Sequence, residues 1–256
     1  MNYQLPFIPE RTVSPRDYGL TMVMDKGLSI KEAENLIESS GEYFDLLKFG
    51  FGTSLITNGL NEKIKIFKNA GIAPYFGGTL FEAFIVRGMF DEFRKYLDKY
   101  KMEFAEVSDG SMPIPIEDKL EYIRILSKQV TVLSEVGSKS VDVLIPDDVW
   151  VANMKAELDA GSWKVIAEAR ESGTIGIYRK NGSANTELIG GIVKELNIND
   201  VLWEAPVKAQ QVWFIKLLGA NVNLGNIAPN EVISLETLRR GLRGDTFFHF
   251  LPDDLK

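Results

Sequence analysis

Eight times along the chain a short apolar run rich in β-branched and aromatic residues closes on polar side chains, nearly always with a charge beside a glycine. The runs are GLTMVMD from Gly19, DLLKFG from Asp45, IAPYF from Ile72, FAEVSD from Phe104, VTVLSEV from Val130, WKVIAEA from Trp163, DVLWEA from Asp200 and ANVNLGN from Ala220. Between them lie helical patterns with readable ends. Ser29 and Glu32 have capping-box spacing ahead of Ala33, Leu36 and Ile37. Leu60, Ile64 and Phe67 recur at helical spacing before Gly71, and Gly161 and Gly219 close later helices in the same way, each just before a new run. Helix, glycine stop, strand is the rhythm of βα units. Eight such units in 256 residues match a (β/α)8 barrel, which takes roughly 250 residues. The sequence therefore predicts an α/β fold, a single (β/α)8 barrel, with a doubly wound open sheet as the alternative. No Pro- or Gly-rich linker divides the chain. We expect one domain over 1–256, with 1–18 as an N-terminal extension and 231–256 as a C-terminal helix and tail.

Composition narrows the chemistry. With no cysteine there is no thiolate nucleophile, no disulfide framework and no thiolate metal site. A single histidine, His249 in the apolar run FFHF, argues against a Ser-His-Asp triad and against His-rich metal sites. The net charge of −7 gives no basic field for a nucleic-acid backbone, so no nucleic-acid partner is expected. Prolines and charges in MNYQLPFIPERTVSPRD replace the continuous apolar core of a secretory signal, and no run approaches a membrane span. These features predict a soluble cytoplasmic protein with no membrane partner. The sequon Asn181-Gly182-Ser183 then reads as an Asn-Gly turn.

In a barrel the active site lies at the carboxyl ends of the strands. There the chain places Asp25 and Lys26, Lys48, Glu82 with Gly77 and Gly78, Asp109, Glu135 and Lys139, Glu168 and Arg170, Glu204 and Lys208, and Asn223 and Asn226. Turns alone account for polar residues at any one of these ends. They do not account for all eight, because Lys48, Glu106, Glu135, Glu168 and Glu204 lie inside or at the very end of apolar runs, where an unpaired charge is costly. Carboxylates without His or Cys are hard oxygen ligands suited to Mg²⁺. Lys26, Lys48, Lys139, Arg170 and Lys208 offer positive charge to a multiply anionic small molecule. A second basic cluster, Arg239, Arg240 and Arg243, follows Ser234. It reads as a helix with Ser234 near its N-cap, on which Arg240 and Arg243 share a face.

At the strand ends the chain resembles the phosphosulfolactate synthase family, through GLTMVMDKGL, DLLKFGFGTS, GGTLFE, EVSDGS, SEVGSK, EARESG, WEAP with KAQQ, NLGNIA and EVISLETLRRGLRGDTF, which run from Gly19 to Phe247. The resemblance implies a (β/α)8 barrel that adds sulfite to phosphoenolpyruvate with Mg²⁺, giving (R)-2-phospho-3-sulfolactate. It implies a carbon–sulfur lyase, a homo-oligomer of the trimeric kind, and a place in coenzyme M or sulfolactate formation. A plant heat-stress-associated protein shares the resemblance, so a non-catalytic barrel and a lyase using another nucleophile stand beside it as alternatives. The family's general acid corresponds to Lys139, preceded here by Ser138 where a basic residue is expected, and Phe51 stands where the family has tryptophan. For the metal we expect Glu135, Glu168 and Glu204, the ends of three successive strands, with Asp25 and Asp109 as substitutes. Lys26, Lys48, Arg170, Lys208 and Arg240 are the expected anion-binding residues.

Overall fold

The computed structural model describes residue 2, residues 4–138 and residues 145–256. Eight parallel strands close into a barrel in sequence order. They are β1 (Thr21–Asp25), β2 (Leu46–Phe49), β3 (Ala73–Phe76), β4 (Phe104–Ser108), β5 (Thr131–Val136), β6 (Ser162–Ala167), β7 (Val201–Glu204) and β8 (Leu224–Ile227). Each of the eight apolar runs holds one strand, so the barrel stands and the open sheet falls. The outer ring is α1 (Ile30–Ser40), α2 (Leu60–Asn69), α3 (Gly78–Ile85), α4 (Phe90–Lys99), α5 (Ile116–Leu126), α6 (Asp147–Asp159), α7 (Thr186–Glu195), α8 (Lys208–Leu218) and α9 (Val232–Arg239). Among the described residues no helix is long and apolar enough to cross a membrane.

Local chemistry sets these boundaries. Ser29 caps α1 by accepting from Glu32 N–H, and the Glu32 carboxylate accepts from Ser29 N–H at 2.8 Å, which satisfies two amides that the first helical turn leaves unpaired. Gly71 ends the α2 unit at φ +75°, a left-handed conformation that costs glycine no Cβ clash. Asn181-Gly182 forms the expected turn, with Ser183 N–H donating to Asn181 Oδ1 at 3.0 Å.

The C-terminal helix differs from the sequence expectation. A turn of 3-10 helix over Pro229–Glu231 leads straight into α9, so the helix begins at Val232 and Ser234 lies inside its first turn. It ends at Arg239, and Arg240 and Arg243 therefore share no helical face. Arg239 is fully buried and donates to the carbonyls of Ala220, Val222 and Leu20, at the amino ends of β8 and β1. Arg11 and Arg16 reach the same end, where Arg16 pairs with Asp45 at 2.9 Å and Arg11 with Glu236 at 3.2 Å. The amino-terminal face of the barrel is thus closed by arginines bonded to strand-end carbonyls and carboxylates.

Candidate active site

Side chains alternate between the two faces of a strand, so every second residue points into the barrel. Met22, Leu133, Ile166 and Leu202 are fully buried, and a Cβ at Gly225 would lie 2.8 Å from Met22 Cε and 3.5 Å from Leu202 Cγ, which places these side chains together in the barrel interior. Toward the carboxyl ends the inward row turns from apolar to charged. Lys48 Nζ on β2 lies 2.9 Å from Glu106 on β4, 3.3 Å from Glu135 on β5 and 3.3 Å from Glu204 on β7. Only the barrel axis can bring four strands this close.

These groups are held by more than one another. Gly78 N–H donates to Glu106 Oε1 at 2.6 Å, and Ala169 N–H donates to Glu204 Oε2 at 2.8 Å. Tyr178 O–H donates to the Glu204 carbonyl at 2.7 Å. Glu168 packs against Gly137, where an added Cβ would lie 2.5 Å from its carboxylate. Beside this layer Ser108 donates to Glu82 Oε1, and Ser111 N–H donates to Glu82 Oε2 at 2.9 Å.

Burial works against the charge of Lys48, but Glu106, Glu204 and Glu135 outweigh it and raise its pKa well above the ordinary lysine value. The ammonium is therefore a fixed positive charge. Glu204 is the opposite case. Burial, joined by the charge of Glu135, pushes its pKa up to about 7 against the pull of Lys48 and of the Ala169 amide. Burial and the adjacent Glu106 likewise raise the Tyr75 phenol well above its usual range.

The structure brings Lys48, Glu135 and Glu204 together as the sequence suggests, and adds Glu106, which sequence reading had noted only as a costly charge. Two substitutes for the metal face elsewhere. Asp25 follows Met24, so it points outward, where Lys63 of α2 pairs with it at 2.6 Å and the amides of Gly27 and Leu28 each donate to Oδ1 at 2.7 Å. Asp109 follows Ser108 and likewise turns to the helix layer, where Lys119 of α5 holds it at 2.7 Å together with Glu157 at 2.7 Å. Both carboxylates bind helices to strands.

The cations divide similarly. Lys26 pairs with Glu171, and Lys208 with Asp245 at 2.9 Å, all partly exposed on the rim. Arg170 is exposed on the loop after β6 and is the one expected anion-binding residue whose side chain has neither an ion pair nor a hydrogen bond among the described residues. Arg240 is not at the mouth. It follows Arg239 at the amino-terminal face and pairs with Glu236 at 2.8 Å. Lys139 lies outside the described residues. A cavity of about 600 Å³ opens beside the rim between the loops after β1 and β2, lined by Lys26, Ser29, Thr53, Thr57 and Asn58 among others.

The donor set suits a hard cation, since it is carboxylate oxygen with no thiolate, and His249 has Lys216 and Lys256 rather than these carboxylates as its charged neighbours. Among the described residues, no group of three or more carboxylates or imidazoles is arranged to hold a metal alone, and the Lys48 ammonium contacts both Glu135 and Glu204. Mg²⁺ commonly takes one or two carboxylates and completes its shell with water and substrate oxygens. The mouth offers carboxylate oxygens of that kind, in Glu135 and Glu204 beside Lys48.

Comparison with known proteins follows the same line. The family model for (2R)-phospho-3-sulfolactate synthase matches residues 9–245. The phosphosulfolactate synthase of Methanocaldococcus jannaschii is 46% identical over 237 residues, covering 90% of this chain and 94% of the relative. That of Bacillus subtilis is 40% identical over 244 residues, covering 94% of this chain and 97% of the relative. Among solved structures, 3-hexulose-6-phosphate synthase from Salmonella typhimurium shares the barrel with a TM-score of 0.55 at 14% identity, covering 88% of this chain and all of that one, which supports the fold alone. A match that spans nearly the whole barrel, including every strand end that carries the buried charges, places this chain in the (2R)-phospho-3-sulfolactate synthase family.

Proposed function

We propose that this chain catalyses the addition of sulfite to phosphoenolpyruvate to give (R)-2-phospho-3-sulfolactate. The observation that carries the reading is the convergence of Glu106, Glu135 and Glu204 on Lys48 at the carboxyl end of a barrel belonging to this family. A scaffold gains little from four buried charges in one layer, whereas a site that must stabilise developing charge needs fixed ones.

Phosphoenolpyruvate carries a carboxylate and a phosphate. Arg170 and the rim lysines Lys26 and Lys208 supply positive charge for these groups, Arg170 without first having to leave a carboxylate partner among the described residues. The sulfur lone pair of sulfite forms a bond to the terminal methylene carbon. The double-bond electrons then move onto the central carbon and its carboxylate. Lys139, the family's general acid by resemblance, delivers a proton to one face of the central carbon, which fixes the configuration of the product. Lys48 stays charged throughout and spaces Glu135 and Glu204 about its ammonium. One or two of Glu135, Glu168 and Glu204 would hold Mg²⁺, which would supply Lewis-acid stabilisation of charge developing on the substrate carboxylate. The same reading makes the protein a cytoplasmic carbon–sulfur lyase and a homo-oligomer.

The test is sulfite-dependent consumption of phosphoenolpyruvate by the purified protein, with Mg²⁺ and with EDTA. Consumption that requires both sulfite and metal supports the reading. Phosphoenolpyruvate left intact in the presence of both contradicts it.

A further inference from the structure

Strand β8 carries an irregularity that the proposed reaction leaves unused. Against β1, Thr21 pairs with Leu224 but Val23 pairs with Ile227, so β8 spends three residues where β1 spends two. Asn226 sits in this bulge with φ +57°, one of four non-glycine residues in the left-handed region among the described residues. Such bulges re-aim a side chain, and here the carboxamide reaches past β7 to β6, where Nδ2 donates to the Ala169 carbonyl at 3.3 Å. The amide N–H of the same Ala169 donates to Glu204 Oε2 at 2.8 Å. Asn226 therefore stands one peptide away from Glu204 and one residue away from Glu168, the two carboxylates at the ends of β6 and β7.

The second observation concerns its oxygen. Asn226 is only 9% exposed, and its Oδ1 is buried with no hydrogen-bond donor among the described residues. The Ala169 carbonyl fixes the orientation of the amide, because a flipped carboxamide would set oxygen against oxygen. A turn alone would be served better by glycine, which adopts this φ without strain and strands no polar atom. A carboxamide oxygen is a neutral hard donor of the kind that joins carboxylates around divalent cations.

We propose that Asn226 Oδ1 is an oxygen ligand for the divalent cation of the mouth, beside Glu168 and Glu204. The inference rests on the reading that the mouth binds such a cation and adds to it a ligand from β8. It also gives the bulge a role, since regular β8 backbone would turn this side chain toward the helix layer.

Mn²⁺ is the probe, titrated into the full-length protein with and without phosphoenolpyruvate and followed by the loss of its free electron paramagnetic resonance signal. Asn226→Gly keeps the left-handed backbone and removes both the donor to Ala169 and the proposed ligand oxygen. Asn226→Asp keeps an oxygen but loses the donor to Ala169. The proposal predicts that the glycine variant weakens Mn²⁺ binding by about tenfold or more while the aspartate variant stays within a few-fold of the parent, with melting temperatures showing that both fold. Equal weakening in the two variants would mean that Asn226 acts only by positioning Glu204 through Ala169, and would overturn the ligand role. Unchanged binding in the glycine variant overturns it as well. If the parent protein itself fails to bind Mn²⁺ under either condition, the cation reading falls and this inference with it, an outcome distinct from the other two.

Discussion

Lys48 on β2 and Glu204 on β7 meet 3.3 Å apart across the interior of the barrel, although 156 residues separate them in sequence. The same ammonium lies 2.9 Å from Glu106, so one cation sets the spacing of carboxylates from three other strands. A buried ion cluster of this kind is sensitive to loss of a single member, because the partners left behind keep their desolvation cost and lose their counter-charge.

Lys48→Met should therefore destabilise the fold by about 3–5 kcal/mol, a drop in melting temperature of roughly 10 °C or more for a chain this size. Adding Glu204→Gln to that variant should restore part of the loss, since it removes one uncompensated carboxylate. Thermal denaturation of the single and double variants at neutral pH checks this. An unchanged melting temperature in Lys48→Met would show that the ammonium does not neutralise the cluster.

The raised pKa of Glu204 gives a pH signature. Its folded value of about 7 lies above the ordinary glutamate value of 4.5, so between these limits the folded state holds the proton more tightly than the unfolded state. Stability from this group is fully present below about pH 4.5 and is lost as pH rises through about 7, with a total of the order of 3 kcal/mol. Denaturant titrations of metal-free protein from pH 5 to pH 8 should show a decline that Glu204→Gln flattens. Parallel pH profiles for the two proteins would contradict the assignment.

Asp25 is a structural residue here. Asp25→Ala leaves buried Lys63 without its carboxylate and two loop amides without their acceptor, so a loss of about 3–5 kcal/mol in stability is expected. Asp25→Asn, if it folds, should bind Mg²⁺ as the parent does. A selective loss of metal affinity in that variant, with stability retained, would return Asp25 to the metal site.

Arg170→Ala and Arg240→Ala make a matched pair of variants, one at the mouth and one at the opposite face. Arg170→Ala should raise KM for phosphoenolpyruvate by about tenfold or more, whereas Arg240→Ala, at the opposite face beside Glu236, should leave KM unchanged. Steady-state kinetics of the two variants decide between them. Equal effects would show that the amino-terminal face communicates with the mouth.

Much of the fold was legible because two periods coexist in the sequence. Strand-sized apolar runs recur eightfold with helical patterns between them, three of which end on a glycine, and closure of the barrel follows from the count of runs. The buried charges were legible for the same reason, since Lys48, Glu135 and Glu204 interrupt runs that water does not reach. What sequence reading missed was the face. Asp25 and Asp109 lie at strand ends as Glu135 does, yet each sits next to an inward residue, Met24 or Ser108, and so turns outward to a helix lysine. Applying the two-residue period at each strand end would have separated them from Glu106, which has the inward parity of Ser108. Arg240 was misplaced for a different reason. Its position depends on where α9 begins and how it runs back along the barrel, and Pro229 set that start earlier than the capping signal at Ser234 suggested. Asn226 was legible only as one more polar strand end; Gly225 beside it is the kind of strand glycine that marks a bulge, but which way the bulge aims the side chain is not written in the sequence.

Turnover in D2O tests the central claim most directly. The protein, phosphoenolpyruvate, sulfite and Mg²⁺ are incubated in D2O and the product is identified by mass spectrometry and its configuration determined. Sulfite addition followed by protonation of the central carbon predicts a single enantiomer of 2-phospho-3-sulfolactate carrying one non-exchanging deuterium at that carbon, and no product from Lys139→Ala although that variant folds and binds phosphoenolpyruvate. Failure to form a sulfonated product, or full activity in Lys139→Ala, would contradict the account.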